Sequence, residues 1–186
     1  ALAEDANGAI WLGTSSGYLH RLREGQFQTF WKPADQPAAP VCSIYFDPSG
    51  ALWFARHGSG LSRLKDGQLT HYGTADGLPT SSINGVIEDH KGFVWLTSKA
   101  GVYRISQHDL QALARGDTTQ IRWRHFTKKD GLPSLDCYGE QNQPSLCRTP
   151  DGRIWIATLQ GVAVVDPDSV AASSPPAVVI EEALLY

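Results

Sequence analysis

The sequence predicts an all-β fold of four-stranded antiparallel sheets packed face to face, and three observations predict it. Four turn glycines, Gly8, Gly50, Gly92 and Gly152, each stand three residues before a tryptophan (Trp11, Trp53, Trp95 and Trp155), and the first three recur at a period of 42 residues. Every one of these tryptophans has an apolar residue on both sides: Ile10 and Leu12, Leu52 and Phe54, Val94 and Leu96, Ile154 and Ile156. Strands of this kind are apolar on both faces, whereas an antiparallel sheet with one wet face alternates. Tight-turn signals separate these short runs throughout the chain. Sheets that must be covered on both faces fit a β-propeller, in which each blade lies between two neighbours and only short, protected edges remain. The period also suits propeller blades, and a stacked β-solenoid, whose coils are usually shorter, is the alternative.

Four repeat units follow in order, at about 1–41, 42–82, 83–133 and 134–172. The first enters partway through a strand, since residues 1–5 match the end of the segment 85–89. Strands are then expected at 9–13, 18–22 and 27–31, with Arg23-Glu24-Gly25-Gln26 as a hairpin turn. The second unit repeats this order at 42–47, 51–55, 61–64 and 68–72, with Lys65-Asp66-Gly67-Gln68 as a copy of that hairpin. The third places strands at 83–89, 93–97 and 102–105 and then departs from the pattern, so that the next glycine spacing is 60 instead of 42. Its insertion reads as one short helix near 106–116: Ser106 as N-cap, Asp109 in a capping-box position, Leu110, Leu113 and Ala114 on one face, Gly116 as the stop. A strand at 121–126 resumes the unit. The fourth unit places strands at 145–149, 153–158 and 162–165 without an obvious fourth. A linker, AASSPP at 171–176, and a strand-like run from Ala177 to Tyr186 read as the exit into a different domain at about 173–186.

Bulk composition excludes several partners. A formal charge of -3 and a pI near 6.1 supply no basic field for nucleic acid or an anionic membrane. No apolar run approaches the roughly 18 residues of a spanning helix. The absence of any methionine makes the chain read as a piece of a longer protein. Cys42, Cys137 and Cys147 form no CxxC pair; a Cys137–Cys147 disulfide and small buried thiols are the two readings, the second the plainer. The six histidines lack metal-ligand spacing, and neither a phosphate loop nor a nucleophile elbow occurs, so no metal, no cofactor and no catalytic residue is expected.

Antiparallel order sorts the loops. If the first strand of each unit lines the axis, the second-to-third loops and the inter-unit connections share one face, and that face is the expected ligand or partner surface. The residues expected to bind there are Arg56, His57, Lys99, Gln160, Asp76 and Asp130. The helix insertion falls on the opposite face, where it can cover a neighbour or dock another domain. Plainer readings stand beside these. The tryptophans between apolar neighbours read as core, not sugar-stacking platforms. Asp5, Asp47 and Asp89, each three residues before a turn glycine, read as turn caps, not general bases. The two DGLP loops, 76–79 and 130–133, read as rigid connectors, and Arg56 and His57 as a solvated loop. Glu88 and Asp89 are adjacent on a strand and so point to opposite faces, which prevents them acting as a carboxylate pair.

The string DGLPTSSINGVIEDHKGFVWLTSKAGVYRI closely resembles the two-component regulator propeller repeat, with its DGL connection, acidic strand end, G-x-x-W and G-[LV]-x-R strand. The end of the chain, with PPAVVIEEALLY, resembles the last blade and the start of the Ig-like domain that follows it in such receptors. The resemblance spans essentially the whole chain. It implies about four blades of a seven-bladed propeller in the periplasmic, ligand-sensing region of a membrane-anchored sensor histidine kinase, non-enzymatic in itself. The implied partners are an oligosaccharide or other small molecule, further blades and the Ig-like domain of the same chain, and a second receptor subunit. The chain departs from the repeat at 106–121, and its fourth unit has no basic residue where Arg63 and Arg104 stand. A propeller lyase or hydrolase acting on a polysaccharide or lactone, and a plain protein-interaction scaffold, are the alternative functions.

Overall fold

In the computed structural model, which describes residues 1–32, 39–137 and 144–170, the repeat folds into four sheets. Sheet I contains β1 (Leu2–Glu4), β2 (Ile10–Gly13), β3 (Leu19–Arg23) and β4 (Gln26–Trp31). Sheet II contains β5 (Val41–Phe46), β6 (Leu52–Arg56), β7 (Gly60–Lys65) and β8 (Gln68–Tyr72). Sheet III contains β9 (Gly85–Glu88), β10 (Phe93–Ser98), β11 (Gly101–Ser106) and, after helix α1 (Gln107–Arg115), β12 (Trp123–Phe126). Sheet IV contains β13 (Leu146–Arg148), β14 (Ile154–Thr158) and β15 (Gly161–Val165). In each sheet the strands follow chain order and pair antiparallel, which is the expected blade meander. The first strands pack beside one another, β1 on β5, β5 on β9 and β9 on β13, so they form the inner row. The core lies in the three seams between sheets, around Trp11 and Phe54, around Trp53 and Ile83, and around Trp95 and Ile156.

Local sequence explains the turns. In the β3–β4 and β7–β8 hairpins both central residues have positive φ, Glu24 (51°) with Gly25 (75°) and Asp66 (51°) with Gly67 (76°). Such turns match the right-handed twist of the strands they join. Gly85 on the inner row has a different reason: a Cβ there would collide with Leu146 and crowd Ser145 of the next sheet.

A three-residue clamp recurs in sheets I, II and III. The indole N–H of Trp11, Trp53 and Trp95 donates to Oδ2 of Asp5 (2.9 Å), Asp47 (3.0 Å) and Asp89 (2.7 Å). The other carboxylate oxygen accepts two turn amides: Asn7 and Ala9, Ser49 and Ala51, Lys91 and Phe93. Across the strand pair an arginine lies over each ring, Arg21, Arg63 and Arg104, at 5.8, 5.3 and 5.7 Å from the centroid. Burial opposes ionisation of Asp47, yet donors from Ser49, Trp53 and Ala51 and the Arg63 charge outweigh it and hold the carboxyl below its usual range. The aspartates are therefore turn and tryptophan anchors, as their position before the glycine predicts.

Three expectations need correction. Trp155 is 41% exposed, against 5% or less for Trp11, Trp53 and Trp95, because no further sheet covers that face of sheet IV among the described residues. Its clamp is missing as well: Thr149 and Val164 stand where the other sheets place aspartate and arginine. In α1 the Ser106 side chain makes no capping bond, and the helix buries Leu110 and Ala112 where Ala114 was expected. Gly116 does end the helix, at φ 80°. The insertion covers a neighbour, since Leu110 enters the seam between sheets II and III and its carbonyl accepts from the Tyr72 hydroxyl at 3.2 Å. The linker and strand expected at 171–186 lie outside the described residues.

Removal of a clamp tests its weight. Asp89→Ala strands a buried indole donor and two amides and is expected to cost about 3 kcal/mol, whereas Asp5→Ala, at a half-exposed clamp, costs about 1 kcal/mol. Urea denaturation of the two variants should show this order; equal losses would contradict it. The two end faces give a second prediction. Sheet IV presents Trp155, Val162 and Val164, and sheet I presents Leu2, Leu22 and Phe27, all exposed. This chain alone should self-associate with rising concentration, and Trp155→Asp should shift it toward monomer in analytical ultracentrifugation. A wild-type chain that stays monomeric would refute that expectation.

Candidate functional site

The antiparallel order places the loops after β2, β6, β10 and β14 at the same end of the sheets as the inter-sheet connections, and backbone bonds stitch the two together. His57 N–H donates to Pro40 O (3.0 Å), Gly60 N–H to Ser81 O (2.7 Å), Cys137 N–H to Ser98 O (3.0 Å) and Leu159 N–H to Asp136 O (3.0 Å). This end contains the six residues that the sequence nominates. Arg56, at the end of β6, lies over Trp31 of sheet I at 4.9 Å from the ring centroid, and His57 follows it. Asp76 and Asp130 close matching 3-10 turns, accepting from Gly73 N–H (2.8 Å) and Thr127 N–H (2.9 Å). Gly77 (φ 91°) and Gly131 (φ 98°) then turn the chain so that Leu78 and Leu132 enter the core. Lys99 and Gln160 stand at exposed turn tips of sheets III and IV.

The charges of two of the six act on a residue that was not nominated. His71 lies on an exposed strand edge; partial desolvation lowers its pKa, the Arg56 charge lowers it further, and Asp76 opposes the shift. His71 Nδ1 also lies 3.2 Å from Ser62 Oγ. Arg56, His71 and Asp76 thus share one electrostatic neighbourhood on sheet II. Lys99, Asp130 and Gln160 belong to the next two sheets.

The opposite end contains a cavity of about 820 Å³ between the turns 89–92 and 149–152, lined by Glu88, His90, Arg148, Thr149 and Asp168 among others. Arg148 reaches across from sheet IV and donates to Glu88 O at 2.9 Å. Lys91 Nζ (2.8 Å) and His90 Nε2 (3.2 Å) engage Asp168. Glu88 is 7% exposed and points to sheet II, where the side-chain amide of Gln107, the first residue of α1, lies 3.3 Å from both Glu88 Oε2 and Asp47 Oδ2. Its pKa is raised to about 7, first by burial, then by the Asp47 and Asp89 charges, with Arg148 and Arg63 opposing. Glu88 and Asp89 do diverge, as alternation requires, but Glu88 finds a different carboxylate, Asp47, 41 positions earlier.

Sequence reasoning missed this group because its members come from three units. One signal was present. The residue before each turn cap is Glu4, Phe46, Glu88 or Arg148, a position of changing chemistry inside an otherwise constant repeat. Among the described residues no cluster of three His, Cys, Asp or Glu side chains is arranged to hold a metal ion, and no helix is long and apolar enough to cross a membrane. Cys42, Cys137 and Cys147 are free thiols, so Cys137 and Cys147 are not bridged. Burial pushes the Cys137 thiol up to about 11.

Comparison with known proteins agrees with this architecture. No curated protein matches the sequence. Residues 141–160 match the family model described as two component regulator propeller. Among solved structures, the chain is similar to the extracellular domain of the hybrid two component system BT3049 from B. thetaiotaomicron (TM-score 0.65, 19% identity, 90% of this chain and 21% of that one). A second B. thetaiotaomicron domain of this kind, BT4673, gives a TM-score of 0.67 at 20% identity, over 90% of this chain and 23% of that one. Virginiamycin B lyase from Staphylococcus aureus gives 0.59 at 14% identity, over 88% and 54%. This chain therefore spans about a fifth of the length of the first two domains, and the likeness establishes a shared fold: the molecule is a run of β-propeller blades carrying one two-component regulator propeller match.

Proposed function

We propose that this chain is a ligand-sensing propeller segment from the extracytoplasmic part of a two-component receptor, non-enzymatic in itself. The observation that carries the reading is the regulator-propeller match at residues 141–160, set in a repeat whose recurring carboxylates are occupied by structural work. The similar extracellular domains of hybrid two component systems support it. In this reading the parent is a membrane-anchored periplasmic receptor, and the ligand is an oligosaccharide or another small polar molecule. Two surfaces offer contacts: the group formed by Arg56, His71 and Asp76, and the cavity beside Arg148. A bound ligand signals only if it favours one arrangement of blades and neighbouring domains over another.

One observation favours a second reading, an enzyme. Glu88, with its carboxyl near 7, shares the cavity with His90, and a group titrating near neutrality suits general acid–base catalysis. A virginiamycin B lyase and a gluconolactonase from Xanthomonas campestris share the fold, the latter at a TM-score of 0.63 and 18% identity. A panel of oligosaccharides and lactones, followed by calorimetry and by product analysis, separates the two. Binding without turnover, weakened at least tenfold by Arg56→Ala or Arg148→Ala, is the expected result. Turnover that disappears in Glu88→Gln would replace the sensor with an enzyme.

A further inference from the structure

We propose that the Glu88 side chain is a proton-operated latch where sheets II, III and IV and helix α1 meet, closed when the carboxyl is protonated and loosened when it ionises. Four elements converge on it. Sheet II supplies Tyr45 and Asp47 from β5 and its following turn, and Arg63 from β7. Sheet III supplies Glu88 itself and the adjoining Asp89. Sheet IV supplies Arg148, whose Nη1 holds the Glu88 carbonyl at 2.9 Å. Helix α1 supplies Gln107, whose amide nitrogen lies 3.3 Å from both carboxyl groups. The charges that act most on Glu88 are those of Asp47, Asp89, Arg148 and Arg63, and the titratable His90, Asp151 and Asp168 line the cavity that Glu88 borders.

The assignment of the proton to Glu88 follows from what the other acids already do. Asp47 accepts the Trp53 indole, the Ser49 hydroxyl and the amides of Ser49 and Ala51, and lies 3.8 Å from Arg63. A carboxylate so supplied with donors keeps its charge. Asp89 has the equivalent bonds to Trp95, Lys91 and Phe93. Glu88 has one long amide contact to its carboxyl and little water. With Glu88 neutral, two negative groups (Asp47, Asp89) face two positive ones (Arg63, Arg148). Ionisation adds a third negative charge in a poorly solvated place, against a single shared amide.

The sign follows from linkage. Burial and the two aspartates raise the Glu88 pKa from 4.5 to about 7, so the folded chain holds the proton more tightly than the unfolded chain does. Stability from this group is complete below pH 4.5 and is lost as pH rises through about 7. Each unit of displacement corresponds to about tenfold in the folding equilibrium, less where water screens the group.

Two measurements on this chain decide the matter. The first follows the side-chain carboxyl carbons of the wild-type chain by NMR from pH 4 to 9. One glutamate resonance titrating near 7, absent from Glu88→Gln, is expected; all glutamates titrating near 4.5 would overturn the latch. The second compares urea unfolding of wild type and Glu88→Gln. The variant keeps the acceptor without the charge, so its folding equilibrium should gain roughly tenfold or more on wild type between pH 5 and 8. Over the same range, hydrogen exchange of the α1 amides should rise beyond its intrinsic pH dependence in wild type alone. Parallel pH profiles for the two chains would refute the proposal. If Glu88→Gln does not fold, the wild-type titration decides it alone.

Discussion

The bond from a tryptophan indole to the aspartate six residues earlier supports the rest of this molecule. It ties the turn between the first two strands of a sheet to the large ring that fills the seam with the next sheet. One carboxylate thereby serves local and tertiary structure at once: Oδ1 receives the turn amides, and Oδ2 orients the ring. The arginine over the ring completes the arrangement and offsets the buried charge. Burying such a carboxylate is tolerable only because its hydrogen-bond capacity is nearly filled.

The loss of that unit in sheet IV has consequences that agree with one another. Where Thr149 and Val164 replace the aspartate and arginine, the tryptophan between them is left exposed beside Val164 and Val162. Neither member of the ion pair is retained alone, which would have stranded a charge. The same unit contributes Arg148 in place of the glutamate of sheet III, and this arginine reaches back across the seam to Glu88. The fourth sheet thus supplies charge at its turn end and apolar surface on its outer face.

Function and stability divide along the same line. Carboxylates inside the repeat motif are engaged by donors and unavailable for chemistry. Groups outside it, such as Arg56 over Trp31, His71 beside Ser62, or Glu88 against Gln107, have mixed surroundings and shifted or shared charges. They can respond to a ligand or a proton because no turn depends on them. The proposed sensing role would use both populations: rigid blades to transmit a difference, and a few groups at their ends whose state can change.

The repeat, the strand order, the hairpin turns, the capping aspartates and the end of α1 were legible in the sequence because each depends on residues within a few positions of one another. Alternation, a glycine at positive φ, and an aspartate three residues before that glycine are local signals, and they recur. The motif around Trp155 reads as core, since its flanking residues are as apolar as those of Trp95; only its place in an end sheet, where no other described sheet stands beside it, leaves it exposed. The meeting of Asp47, Glu88, Gln107 and Arg148 was not legible, because their sequence separations of 19 to 60 residues are closed only when sheets II, III and IV pack with α1 at their edge. By itself the sequence determined the blade, because blade geometry is short-range. Tertiary structure alone decided which charges meet between blades, because electrostatic environment is set by every element within a few ångströms, wherever it lies in the chain.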